Sequence, residues 1–152
     1  VNPLLTIDPG ASGGYAWRDA GGIVHAAALP EGMTAQVDAL RALAAGTPAL
    51  TAVVERAGWW MPGDHPNSAC KFARHCGHLE AALYALGVPF RDVPPAVWMK
   101  TLGTLPKVKA DRKRAIKELM ARRHPHLTVT LATADALGIL EWAVAREGGQ
   151  QA

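Results

Sequence analysis

Three of the 13 acidic residues sit among small and apolar neighbours, where a carboxylate is expensive to leave without a partner. Asp8 ends the run Leu4-Leu5-Thr6-Ile7 and opens the glycine-rich turn Pro9-Gly10-Ala11-Ser12-Gly13-Gly14. Glu55 ends Thr51-Ala52-Val53-Val54, and Asp135 lies within Ala132-Thr133-Ala134-Asp135-Ala136-Leu137-Gly138. A strand that delivers a carboxylate into a glycine-rich turn puts negative charge where backbone can approach a phosphate or a metal. If the first and fourth strands are neighbours, Asp8 and Glu55 emerge at one sheet end. The small residues around Asp135 would let a helix pack closely and bring a third carboxylate to the same point. Three such charges repel unless a divalent cation holds them. Oxygen-only ligation suits Mg²⁺ or Mn²⁺. Two such ions about 3.5–4 Å apart would activate a water and stabilise the leaving oxygen of a phosphodiester. Taken singly, Asp8 is equally an ordinary turn residue, Glu55 a strand-end charge and Asp135 a helix-start charge.

The elements that must position these residues follow from periodicity. Leu4–Asp8, Gly13–Arg18 and Ile23–Leu29 read as three strands of a hairpin meander, separated by turn residues. Met33–Ala45 reads as a helix, with Val37, Leu40 and Ala44 on one face and Thr34 as its N-cap. Leu50–Glu55 is the fourth strand, and Arg56–Pro66 is loop chemistry. Ser68–Leu86 is the longest helix, with a stripe of Phe72, Cys76, Leu79, Leu83 and Leu86 and a stop at Gly87. A short strand, Val88–Val93, precedes a short helix from Pro94-Pro95 to Trp98 and a basic loop, Gly103–Lys109. Asp111–Arg123 and Thr133–Arg146 are the closing helices. Hairpin strands followed by alternating helix and strand imply a mixed α/β sheet covered by helices. At 152 residues, this is expected to be one domain spanning 1–152.

With 49% apolar and 19% charged residues the chain is not a disordered one, and no apolar run reaches the roughly 18 residues of a membrane span. No secretory signal is visible at the N-terminus, and Cys70 and Cys76 point to different faces of one helix. Two isolated cysteines fit a reducing compartment, so the expected location is cytoplasmic, in a bacterium or phage; an organelle protein without its transit segment is the alternative. Cys70, Cys76, His75 and His78 lie on one helix and are a poor ligand set for zinc. The net charge of +3 hides an asymmetry: residues 100–126 carry +7 and the remainder −4. Such a basic stretch is either a solvated helix face or a surface for a polyanion. In the Gly- and Pro-rich loop, Trp59 and Trp60 cannot easily share one core. One of them would be exposed and able to stack on an unpaired base, or the pair anchors the loop in the core. Trp17, Trp98 and Trp142 lie in regular elements and read as packing residues.

The motifs together resemble a known family. Ile7-Asp8-Pro9-Gly10 with Ser12-Gly13-Gly14, Val53-Val54-Glu55 and Ala134-Asp135-Ala136-Leu137 are similar to the RuvC-type Holliday junction resolvases of the RNase H-like (retroviral integrase) superfamily. Gly58-Trp59-Trp60-Met61-Pro62-Gly63, Val93-Pro94-Pro95-Ala96-Val97-Trp98-Met99-Lys100 and Lys109-Ala110-Asp111-Arg112-Lys113-Arg114 resemble the chloroplast branch and its bacterial and phage relatives. The resemblance runs from about Leu4 to Trp142. It implies a five-stranded RNase H-like mixed sheet, its first three strands antiparallel, then a fourth and a fifth, flanked by helices. It implies a homodimeric, metal-dependent endonuclease that nicks a four-way DNA junction symmetrically on opposite strands. Asp8, Glu55 and Asp135 would be the metal ligands, with Mg²⁺ or Mn²⁺ in a two-metal site. Lys109 would be a catalytic lysine near the scissile phosphate. Trp59 and Trp60 would meet the junction centre. The same resemblance favours DNA phosphates as the partners of Lys100, Lys107, Lys109, Arg112 and Lys113.

One departure stands out. Relatives carry a further acid or histidine three or four residues before the last carboxylate; here those positions are Ala132 and Leu131. The missing ligand at Ala132 leaves a weaker site, one that recruits His124, His126 or Glu141, an inactive one, or an engineered exchange at 132. The competing reading is therefore a junction-binding protein with little or no cleavage. A third, a nucleotide-binding domain of the actin/sugar-kinase type, needs a second similar domain for which 152 residues are too few.

Overall fold

The computed structural model describes residues 1–56 and 65–149. Trp59 and Trp60 lie outside the described residues. Five strands form one sheet: β1 (Leu4–Asp8), β2 (Gly14–Arg18), β3 (Val24–Ala28), β4 (Thr51–Glu55) and β5 (Phe90–Val93). Their order is β3-β2-β1-β4-β5. The first three are antiparallel neighbours; β4 lies parallel to β1, and β5 parallel to β4. This is the mixed sheet expected from the alternation of elements.

Strand periodicity divides the interior in two. Leu5 and Ile7 of β1, with Ala52 and Val54 of β4, pack against α1 (Met33–Gly46) and α2 (Pro66–Ala85) through Leu40, Leu79 and Leu83. Leu4 and Val53 point the other way, into a second core. That core is built by α3 (Pro95–Met99), the 3₁₀ turn Lys100–Leu102, α4 (Lys109–Arg123) and α5 (Leu131–Gly149). By the same alternation Asp8 and Glu55 belong to the α5 face, at adjacent strand ends, because Thr6 pairs with Val53 and Ile7 with Val54.

Helix α5 crosses the sheet as a central element, buried from Thr133 to Leu140. An apolar sequence on all sides is what such a helix needs. The Thr6 hydroxyl donates to the Ala136 carbonyl at 2.7 Å, so β1 grips α5 one residue after Asp135. The Ala132 carbonyl lies against Gly14, where a Cβ would overlap it. The small residues around Asp135 thus do allow close packing, although Gly138 faces Trp98 rather than a strand.

Helix ends differ from the expectation in instructive ways. Thr34 is inside α1, whose N-cap is Gly32 without a side-chain bond. Pro66 at the first position starts α2 earlier than Ser68, with the His65 ring accepting the Asn67 N–H. Gly87, at φ +69°, closes that helix: its N–H donates to Tyr84, and the Val88 N–H to Leu83. Helix α4 begins at Lys109, not Asp111, because Val108 is extended and its carbonyl accepts the Arg112 N–H; Asp111 then lies in the first turn, where the helix dipole favours an acid. Helix α5 begins two residues early. Thr130 and Thr133 exchange hydrogen bonds, each hydroxyl accepting the other's backbone N–H, as a capping box does.

Gly14→Ala forces the start of α5 away from β2. We expect a loss of about 1–3 kcal/mol in urea unfolding, the usual range for overpacking; an unchanged midpoint would show that this contact is slack.

Candidate active site

The three carboxylates come from three elements. Asp8 and Glu55 end the parallel pair β1 and β4, and Asp135 stands in the first turns of α5. Asp8 is 8% exposed and Asp135 9%. Their shared neighbourhood is visible in their acidity. Burial pushes the Asp8 carboxyl up to about 8, and the charges of Glu55 and Asp135 add to this while Lys113 opposes it. Burial likewise raises Glu55 to about 7; a hydrogen bond from Trp98 works the other way, as does Lys113, and the Asp135 charge adds to the rise.

Among the described residues, no group of three or more His, Cys, Asp or Glu side chains is arranged to hold an ion as it stands. The donor chemistry nevertheless suits a hard divalent cation. All three groups offer oxygen, and Asp135 Oδ1 is buried with no hydrogen-bond partner among the described residues. The ammonium of Lys113, 3.2 Å from Asp135 Oδ2, is the positive charge acting on all three carboxylates. With all three acids ionised, Lys113 alone would leave the pocket net negative; without an ion, protons on Asp8 and Glu55 relieve that charge, and Mg²⁺ or Mn²⁺ would relieve it in their place. Asp8, Glu55 and Asp135 are the residues that would hold it.

Lys113, which the resemblance gives to phosphate, stands beside Asp135 in this structure. Burial disfavours its charge, but Asp135, with Asp8 and Glu55 behind it, more than offsets this and holds the ammonium above its ordinary pKa. Lys109 is exposed at the first position of α4, one turn before Lys113 on the same helix face. Lys100, Lys107 and Arg112 line a groove of about 320 Å³ beside α3 and α4, in which the Arg112 guanidinium donates to the Lys107 carbonyl at 2.9 Å. The basic residues therefore form an inner position at Lys113 and an outer rim. Ala132 supplies no donor. His124 stands 3.2 Å from Glu141 Oε1, Arg123 pairs with the same carboxylate, and the His126 ring meets the Val24 carbonyl at 3.0 Å. These three residues are engaged with one another and with β3, and none replaces the missing group.

Two supports were not legible as site residues. The indole N–H of Trp98, read above as packing only, donates to Glu55 Oε2 at 2.7 Å. The turn after Asp8 is held from α2: the Gly10 N–H donates to His75 Nδ1 at 2.8 Å, and His75 Nε2 meets Gln36 Oε1 at 2.7 Å. His78 Nε2 shares that oxygen at 2.9 Å, and the Gln36 amide donates to the Pro30 carbonyl. With Nδ1 as acceptor, His75 must be neutral with its proton on Nε2. His75 thus holds the turn, His78 meets Gln36 beside it, and Cys70 and Cys76 are free thiols.

Chains of known structure share this arrangement of elements. The chain superimposes on the structure titled "T. thermophilus RuvC in complex with Holliday junction substrate" with a TM-score of 0.55 and 19% identity, over 97% of each chain. It superimposes on "Thermus thermophilus RuvC structure" with a TM-score of 0.55 and 18% identity, over 96% of each. This chain has the RuvC-like fold. The sheet order and the covering helices are those of the RNase H-like architecture. No protein-family model and no curated protein matches the sequence.

The raised Asp8 pKa sets a pH dependence. In the unfolded chain Asp8 ionises near 3.8, whereas the metal-free folded protein keeps its proton up to about 8. The folded state therefore binds more protons between these values, and stability falls as pH rises through them. Asp8→Asn removes that contribution, so its Tm should gain several degrees on the wild type between pH 4 and 8, with Mg²⁺ narrowing the gap at pH 8 by stabilising the wild type. A gap independent of pH would contradict the buried, protonated Asp8.

Proposed function

We propose that this protein is a divalent-metal-dependent endonuclease that resolves four-way DNA junctions by paired, symmetric phosphodiester nicks, working as a homodimer of one nuclease domain per chain. The observation that carries this reading is the gathering of Asp8, Glu55 and Asp135 around Lys113 at the ends of β1 and β4, on a RuvC-like fold. The similar chain from T. thermophilus is described in complex with a Holliday junction substrate. The +7 segment from residue 100 to 126, with its outer rim of Lys100, Lys107, Lys109 and Arg112, supports a polyanionic partner.

When bound, Mg²⁺ or Mn²⁺ supplies Lewis-acid polarisation of a phosphodiester and a more acidic water. The chain's own residues do the rest. Asp8 and Glu55 are presented by rigid parallel strands, which keeps their oxygens in fixed positions. Asp135 is held by α5 and shares its charge with Lys113, which offsets repulsion among the acids before any ion or phosphate arrives. Lys109, on the same face as Lys113, extends that positive line toward the outer rim, where a DNA backbone would be steered. Trp59 and Trp60, which follow β4 in sequence, would by the resemblance meet the junction centre. A dimer is required by symmetry: one site cuts one strand, and resolution needs a second site on the opposing strand.

A second reading has its own observation. Ala132 brings no donor, and Lys113 already holds one oxygen of Asp135. A protein so built could grip a junction and cut it poorly.

A labelled four-way junction incubated with and without Mg²⁺ or Mn²⁺ separates the readings. Paired symmetric nicks that vanish in Asp8→Asn, Glu55→Gln and Asp135→Asn, with binding retained, are the expected result. Tight binding without nicks, restored to cutting by Ala132→Asp, supports the second reading. Equal affinity for a junction and a linear duplex overturns both. Replacing Lys107 and Lys109 together by Gln should flatten the slope of log affinity against log salt by about 1.8, the value for two phosphate contacts; an unchanged slope removes both from the interface.

A further inference from the structure

Trp98 is 1% exposed and sits in the short helix α3. A buried indole N–H ordinarily takes an acceptor; here that acceptor is a candidate ligand, Glu55 Oε2, at 2.7 Å. Trp142 makes the contrast: its indole nitrogen is also buried, and it has no partner among the described residues. The other edge of the Trp98 ring is pressed against α5. At Gly138 a Cβ would stand 2.6 Å from Trp98 Cζ3, too close for any side chain, so the ring lies directly on the helix backbone. Gly138 is three residues after Asp135, on the same side of the helix. One rigid indole therefore touches the carboxylate of Glu55 at its polar end and the helix that carries Asp135 at its apolar end. Two candidate ligands from elements distant in sequence are kept in fixed relation by a single side chain.

From this we infer that Trp98 is a positioning residue for the metal site: it anchors Glu55 Oε2, leaves Oε1 as the oxygen offered to the cation, and sets the distance between Glu55 and α5. Glycine at 138 is part of the same device, since any larger residue displaces the indole. The inference rests on the metal-site reading above and adds a residue that itself binds neither metal nor DNA. Groups that orient a ligand typically change metal affinity by about 10–100-fold when removed. A core tryptophan without that role would change stability and leave the affinity of the folded protein alone.

The test uses the full chain without DNA. Mn²⁺ binding is followed by the electron paramagnetic resonance signal of the free ion. Trp98→Phe, which keeps an aromatic ring and removes the donor, should weaken Mn²⁺ binding about tenfold, and Trp142→Phe should leave it unchanged. A folded Trp98→Phe protein with wild-type Mn²⁺ affinity overturns the role of Trp98 while the metal site stands. A wild-type protein that takes up no Mn²⁺ overturns the metal site and this inference with it. Should Trp98→Phe fail to fold, the wild type carries the decision. Its Trp98 indole N–H resonance should shift on titration with Mg²⁺, and the Trp142 resonance should not. A Trp98 resonance that stays fixed at saturating Mg²⁺ overturns the proposal.

Discussion

Burying like charges together is the constraint around which this molecule is arranged. Asp8, Glu55 and Asp135 sit where solvent cannot screen them, and burial together with mutual repulsion drives two of them far from ordinary carboxylate acidity. Such a cluster persists only if the surrounding structure holds it and some cation compensates it. Lys113 supplies one positive charge from α4. Protons on Asp8 and Glu55 relieve the rest up to about pH 7–8, so the repulsion appears as a loss of stability as pH rises.

The scaffold meets the mechanical half of the problem through backbone contacts. Parallel pairing of β1 with β4 aligns two strand ends, the place where α/β sheets commonly present ligands. Helix α5 is locked to the sheet by the Thr6 hydroxyl, by the fit of Gly14 against the Ala132 carbonyl, and by the Thr130–Thr133 cap. The Asp8 turn is tied to α2 through His75 and Gln36, which join two helices and the turn in one hydrogen-bonded chain. Each of the three acids thus has its own support on a different element.

The positive residues divide by depth. Lys113 stands beside Asp135, while Lys100, Lys107 and Lys109 remain in solvent. An inner cation offsets the acids, and an outer rim carries exposed positive charge. A charge count along the sequence cannot separate these roles, because Lys109 and Lys113 differ by one helical turn and identical chemistry.

Much of the architecture was already written in local pattern. Apolar runs at Leu4–Asp8 and Leu50–Glu55 specify strands ending in acids, and period two alone assigns both acids to one face once those strands pair. Gly87 marks a helix end because its backbone preference is intrinsic. The resemblance of the acidic motifs to RuvC-type proteins anticipated the fold. What only the tertiary structure decided is where long-range partners meet. Trp98 reads as a core residue until its N–H is found on Glu55, 43 residues away. Lys113 reads as a surface charge until Asp135, 22 residues on, is seen beside it. His75 reads as a poor zinc ligand until the Gly10 amide is seen to need an acceptor. Local propensity acts over a few residues, so it determines elements and their faces. Electrostatic balance and hydrogen-bond satisfaction act between elements, and only the packed chain reveals which residues supply them.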